Sequence, residues 1–424
     1  MLSTLRDAWK IPDLRKKMIF TILMLLVVRL GASIPVPFMD KEAIRQIFSS
    51  SQGGVLQFLD MMSGGTLSSY SVFAANIYPY ITASIILQLL TIAIPRLEEL
   101  AKEGEEGKKK INRYTRYGAI ALAAVQAIGL TFGLFRPALE TTNTMQNVIV
   151  ILSIVAGTAF LMWIGELITE KGIGNGISLL IFIGIISRLP RDLINTVKLV
   201  SIGQLSVISV LLFGIVMLII IAFVVALQEG ERRIPVQYAK RVVGRKMYGG
   251  QSTHIPIKVL MAGVIPVIFA SSLLALPQTV SLFSQGGVVR WIEKYLTPAG
   301  PVGIWIYSIL NIILIIFFTY FYTAVQFNTV EYSKNLQQNG GFIPGIRPGR
   351  PTSDHLNKVV NRITFVGGMS LALLATLPVI LSKVFNMDIN FGGTAIIIVV
   401  GVALETVKQI ESQMLMRHYK VFLK

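Results

Sequence analysis

The sequence contains no cysteine. That excludes disulfides, thiol nucleophiles, iron–sulfur clusters and cysteine-ligated zinc. Histidine is scarce: His254, His355 and His418 lie far apart, which argues against a histidine-rich metal site. Charge is scarce too, at 14% of residues, where a soluble domain carries roughly 25%. Acidic residues are the rarer sign, 22 against 39 basic ones, for a net charge of +17. In place of charge, 53% of the 424 residues are hydrophobic and the mean hydropathy is +0.66. This composition points to a membrane protein.

Catalytic signatures are missing as well. No G-x-x-x-x-G-K-[ST] phosphate cradle and no H-E-x-x-H metal motif occur. Gly172-Ile173-Gly174-Asn175-Gly176 fails as a dinucleotide fingerprint, because G-x-G-x-x-G requires glycine at Ile177 and no strand precedes it. All seven aspartates fall in predicted loops or at span ends, which disfavours an intramembrane aspartyl protease. The histidines are expected outside the membrane, so a serine nucleophile there lacks a histidine base. An enzyme is the least favoured class, and no cofactor is expected. An ion-coupled transporter places ionisable groups inside its bundle. Here the spans hold little beyond Arg29, near the outer end of the first, and Glu166 and Glu405 near the ends of theirs. A secondary transporter for an uncharged small solute stays open as the alternative.

What is present is a series of long uncharged runs. Leu199 to Gln228 carries no charge, nor do Met61 to Pro95, Val259 to Val289, and Tyr295 to Val330. Each exceeds the ~20 residues that cross a bilayer as a helix. Ten spans are expected, at roughly 18–35, 70–94, 117–135, 148–168, 175–189, 205–227, 257–276, 302–324, 363–382 and 390–410. They are read as helices, since lipid forces every backbone polar group to pair internally and the period-2 pattern of a barrel is absent. With the N-terminus in the cytoplasm, 29 Lys and Arg fall inside and 9 outside. That asymmetry sets the orientation, both termini cytoplasmic. No cleavable signal is expected, because Ile34-Pro35-Val36-Pro37 follows the first apolar run instead of a small-residue cleavage site.

Most of the basic excess is what orientation alone requires. The cytoplasmic loops 228–256 and 325–362 go further. Each has roughly 30 residues, and loops beyond ~12–15 residues are usually functional. The first interleaves basic with aromatic and β-branched residues.

Three further segments carry information. Between Gly53-Gly54 and Gly64-Gly65 lies a short apolar piece, Val55 to Met62. Eight helical residues rise only ~12 Å, too short to span, so the piece is a surface loop or a re-entrant element hinged on glycines. In the second span, Ser84, Gln88 and Thr91 are spaced i, i+4, i+7 and share a helix face. A polar stripe at membrane depth faces a neighbour or water. It is either an ordinary hydrogen-bonded seam or one that opens, and Ser271 and Ser272 of the seventh span are the expected partners. Finally, the alternate glycines at 172–176 predict a tight reversal between spans four and five.

Together the segments YSVFAANIYPYITASIILQLL (70–90), MWIGELITEKGIGNGISLLI (162–181), RRIPVQYAKR (232–241), QSTHIPIKVLMAGVIPVIFASS (251–272), GFIPGIRPG (341–349) and FGGT (391–394) resemble the SecY family of bacterial protein-conducting channels. The likeness covers essentially the whole chain. It implies an all-α integral membrane protein, with ten transmembrane helices in two inverted five-helix halves around an hourglass pore. The halves fall at 1–190 and 191–410, followed by a cytoplasmic tail at 411–424. It also implies a pore ring of Ile77, Ile81, Ile181, Ile185, Ile268 and Ile398. The i, i+4 spacing of 77/81 and 181/185 puts each pair on one face, though core packing alone would also account for isoleucine at all six positions. By the same resemblance, residues 53–67 form a plug, with Val55, Leu56, Phe58, Leu59, Met61 and Met62 as its apolar body. The stripe of span two, with spans three, seven and eight, becomes a lateral gate. Arg245 and Lys246 match a basic pair that meets the ribosome, and Arg347 matches an arginine tied to the SecA motor. Implied partners are SecE and SecG, SecA, the translating ribosome, signal sequences and nascent polypeptides, and membrane lipids. The implied location is the bacterial plasma membrane.

Overall fold

A helix lies at each of the ten predicted spans. The computed structural model describes residues 2–422 except 51–59, 61–62, 141–142, 239–240, 244–245, 249–251, 282–290, 292–294, 297–301 and 385–392. The first half holds α1 (Leu2–Lys10), α2 (Pro12–Gly31), α3 (Lys41–Ser50), α4 (Tyr78–Ala93), α5 (Pro95–Lys102), α6 (Glu105–Ile128), α7 (Thr144–Lys171) and α8 (Gly176–Ser201). Then come α9 (Val207–Glu229), β1 (Glu231–Tyr238), β2 (Arg241–Val243), β3 (Lys246–Tyr248), β4 (Ser252–Lys258) and α10 (Ile265–Ser281). The chain ends with α11 (Gly303–Gln326), α12 (Thr329–Gln338), β5 (Gly341–Phe342), α13 (Arg350–Val384) and α14 (Gly393–Phe422).

Five helical stretches among the described residues are long and apolar enough to cross a bilayer: Glu105–Leu134, Thr144–Lys171, Val207–Glu229, Gly303–Gln338 and Arg350–Pro378. The bent pair α4 and α5 makes a sixth when taken as one span. Others miss that threshold for visible reasons. The first turns of α2 carry Arg15, Lys16 and Lys17, and α8 carries Arg188, Arg191 and Asp192. The apolar part of α10, Ile265–Pro277, is short.

Local sequence sets the helix boundaries. Asn175 caps α8, its Oδ1 accepting from the N–H groups of Ile177 (3.1 Å) and Ser178 (3.3 Å). The predicted reversal is there: Gly174 has φ +91, and Gly176 lies so close to α7 that a Cβ would strike the Gly165 carbonyl oxygen. Pro95 holds the preceding Ile94 extended, and the chain turns by 101° between α4 and α5.

The second span differs from the continuous helix expected over 70–94. Its helix begins only at Tyr78. Residues 70–77 run as turns, with left-handed backbone at Tyr70 (φ 41) and Asn76 (φ 51). This backbone is paired from outside: Val36 N–H donates to the Tyr70 carbonyl and Val72 N–H to the Ile34 carbonyl, both at 3.0 Å. Asn76 Oδ1 accepts from Ile77 N–H at 2.8 Å. Irregular backbone at membrane depth is tolerated where protein covers it, and Tyr70, Phe73, Ala74, Ala75 and Ile77 are all buried.

The two long loops also depart from a plain loop reading. β1 pairs antiparallel with β4, with Ile234 opposite Ile255, and its end pairs with β5 from the second loop. β2 and β3 form a separate hairpin. The period-2 burial of Ile234 and Val236 gives the sheet an apolar face, which packs with Ile257, Leu336, Ile343 and Leu356. Loops distant in sequence thus form one small unit. The main core draws on α2, α4, α7 to α11, α13 and α14, through residues such as Val28, Leu161, Ile220, Ile315 and Leu371.

Candidate functional site

Five of the six isoleucines picked out in the sequence line a single small cavity: Ile77, Ile81, Ile181, Ile268 and Ile398. They come from the start of α4 and from α8, α10 and α14, four elements far apart in the chain. Asn76, Tyr78 and Ser272 complete the wall. Ile185 is buried in the same core one turn along α8, without lining the cavity. The space open to the centre of a water is about 10 Å³, roughly one water's worth. No Asp, Glu, Lys, Arg or His lines it among the described residues. Such a constriction offers an ion nothing to replace its hydration shell.

A second cavity, of about 30 Å³, adjoins it through the shared residue Asn76. Arg29 of α2, Ser63, Thr66, and Ile183 and Gly184 of α8 help to line it. Of the segment read as a plug, Val55, Leu56, Phe58, Leu59, Met61 and Met62 lie outside the described residues. Its C-terminal part is described, and it is buried at Asp60, Ser63, Thr66 and Leu67. Here Gly64 (φ +73) sits against α8 so closely that a Cβ would come within 2.7 Å of Gly184 Cα. Asp60 folds this turn: its carbonyl accepts from Gly65 N–H (3.0 Å), and its Oδ1 accepts from Ser68 N–H (2.7 Å). Its Oδ2 lies 3.1 Å from Arg188 Nη1 on α8.

The polar stripe of α4 is half-buried. Gln88 Nε2 donates to Ser84 Oγ (3.2 Å), and Thr91 Oγ1 donates to the Leu87 carbonyl (2.7 Å). Across the seam, Tyr322 of α11 lies close to the Gln88 side chain. Ser272 sits one turn beyond Ile268 and faces the apolar cavity, while Ser271 Oγ is buried without a hydrogen-bond partner.

Of the loop residues, Arg347 is exposed in the turn between β5 and α13. Gly345 (φ 81) and Gly349 (φ 93) bracket it, and its carbonyl accepts from Thr352 Oγ1 at 2.8 Å. Beneath the turn, Ile343 is anchored in the small β core. Lys246 opens β3, its backbone opposite Val243, whereas Arg245 lies outside the described residues. Sequence reasoning missed Tyr322, Asn76 and the Asp60–Arg188 pair. The signal for the last was legible, since Ile181, Ile185 and Arg188 are spaced i, i+4, i+7 on one face of α8.

The profile of the SecY family matches residues 71–407. The protein translocase subunit SecY of Streptomyces lividans is 46% identical over 445 residues, covering 100% of both chains. The chain belongs to the SecY family. It is therefore a multi-pass membrane protein and the pore-forming subunit of a protein translocation channel. Solved folds agree. A SecY protein whose plug domain stabilises the closed state of its channel superposes with a TM-score of 0.68 at 20% identity, over 97% of each chain. Sec61 in a canine ribosome–channel complex from the endoplasmic reticulum gives 0.65 at 18%, again over 97% of each chain.

Proposed function

We propose that this SecY-family chain works in a bacterial plasma membrane with both termini in the cytoplasm. It passes unfolded secretory polypeptides through the isoleucine constriction and releases transmembrane segments sideways into lipid. The observation that carries this reading is the convergence of Ile77, Ile81, Ile181, Ile268 and Ile398 on one uncharged cavity of about 10 Å³. A constriction of that kind resists hydrated ions, yet a flexible chain slides past it because nothing on the wall binds it. Ile185 completes the collar when it widens.

The remaining assignments follow the same physics. Residues 53–67 act as the plug, and Asp60 and Gly64 of this segment rest against α8. The halves 1–190 and 191–410 move apart at a lateral gate of α4 and α6 against α10 and α11, with Ser84, Gln88, Thr91, Ser271 and Ser272 along it. Apolar segments partition outward there, because lipid accepts them. SecE and SecG complete the assembly. The chain has no nucleotide motif, so work comes from SecA or from the translating ribosome at the β unit, through Arg347, Arg245 and Lys246. Ribosome docking through RNA phosphates weakens as salt rises.

The test is reconstitution in vesicles with SecE and purified SecA. ATP-dependent import of a precursor is expected, and R347E should abolish most of it while leaving the protein inserted. Solute flux without precursor movement would favour the transporter alternative instead.

A further inference from the structure

One charged pair stands out from the apolar surroundings. Asp60 is 4% exposed, and the side chain of Arg188 is 13% exposed. Every other ion pair among the described residues involves at least one partner that is about half-exposed or more. Burying a pair is costly, so a buried pair is weak evidence for stability and stronger evidence for a specific arrangement. This one joins two parts of the chain that nothing else in the sequence obliges to meet.

The geometry around it is that of a seat. Gly184 and Arg188 are i and i+4 on α8, with Arg191 at i+7, so the three share a face. Gly184 receives the backbone of Gly64, Arg188 receives Asp60, and Arg191 approaches Gly65. Ile181, which lines the constriction, lies three residues before Gly184 on the same helix. From 181 to 188 the rise is ~10 Å. The carboxylate divides its oxygens, with Oδ1 closing the 60–68 turn through Ser68 N–H and Oδ2 reaching α8.

The contact is close but incompletely satisfied. Arg188 Nη1 is near Oδ2 without hydrogen-bond alignment, and the buried Nε has no acceptor. Other charges surround the pair. Arg29 and Arg191 lie near enough to repel each other, and Asp192 lies close to Arg188, Arg191 and Asp60. If Asp60 loses its charge, Arg188 is left in a basic neighbourhood with Asp192 as its remaining acidic neighbour. Such a contact holds while closed and gains solvation when broken, which suits a holding point that must let go.

We propose that Asp60 and Arg188 form a charge latch that keeps the 60–69 turn docked on α8 in the resting channel. The latch acts as a positioning device, since neither residue lines the constriction. It rests on the reading of 53–67 as a plug, and its test separates the two ideas.

The measurement is resting ion conductance of the full chain, reconstituted in planar bilayers together with the subunits that co-purify with it. The variants are D60N, R188Q, R188K, D60N/R188Q and a deletion of 55–62, each first checked for a monodisperse elution profile in detergent. The latch predicts that D60N and R188Q each raise the open fraction about tenfold. R188K, which keeps the charge, should leak less than R188Q. The double neutral variant should leak no more than either single one, because it leaves no unpaired buried charge. Singles that stay tight while the deletion leaks would overturn the latch and leave the plug reading standing. Single effects that multiply in the double variant would also overturn it. If the deletion itself stays tight, the plug reading falls and the latch falls with it.

Discussion

Isoleucine at the constriction does two jobs, and a single charge separates them. As core residues, Ile81 and Ile268 fill space beside a cavity of about 10 Å³. As a collar, they must also keep that space free of groups that attract water. A charged side chain at membrane depth costs about 2.5–3.5 kcal/mol, and most of that is recovered if the channel opens to water. The closed–open balance should then move by about a hundredfold toward open. Replacing Ile81 or Ile268 by lysine should therefore produce a large resting ion leak in bilayers, whereas Ile→Leu at either site should stay tight. Equal tightness of lysine and leucine variants would reduce the collar to ordinary packing. The residue scale is also where the sequence was least legible. Nothing in the pattern distinguished these isoleucines from any other buried apolar residue, so the family resemblance alone selected them. The pairing of Arg188 with Asp60 is hidden in the sequence, because the two are 128 positions apart.

At the scale of elements, hydropathy located the helices well because lipid leaves an apolar run little choice of backbone structure. It failed where protein rather than lipid covers the backbone. Residues 70–77 are apolar enough to read as helix, yet they pair with 34–36 and turn through left-handed conformations at Tyr70 and Asn76. The loop strands were missed for a related reason. Their apolar face is covered by Leu336, Ile343 and Leu356 from a loop about a hundred residues away, and alternation within β1 alone is short. Glycine chemistry is more readable, and it yields a paired prediction on the docking of the 60–69 turn against α8. Gly64 has φ +73, and a Cβ there would meet backbone atoms of Gly184 at 2.7 Å, so G64A incurs about 1–2 kcal/mol of left-handed strain on top of the steric clash. A Cβ on Gly184 meets its nearest neighbour at 3.9 Å, an ordinary contact. G64A should raise resting conductance while G184A leaves it near wild type. Equal conductance in the two variants would mean that this docking does not hold the channel closed.

Over the whole molecule, four elements from both halves of the chain bring their isoleucines to one point. The β unit gathers the two long basic loops at another place. Composition announced the membrane and the charge asymmetry suggested an orientation, but the meeting point is a property of the assembled bundle. The account stands on that meeting point being the route of the polypeptide. It is tested most directly by photo-crosslinking from single positions to a precursor stalled in transit. Probes at Ile81, Ile268 and Ile398 should capture the precursor strongly. A probe at Leu218, which is 68% exposed on the outer face of α9, should capture lipid instead. Strong capture at Leu218 with none at the three isoleucines would contradict the account.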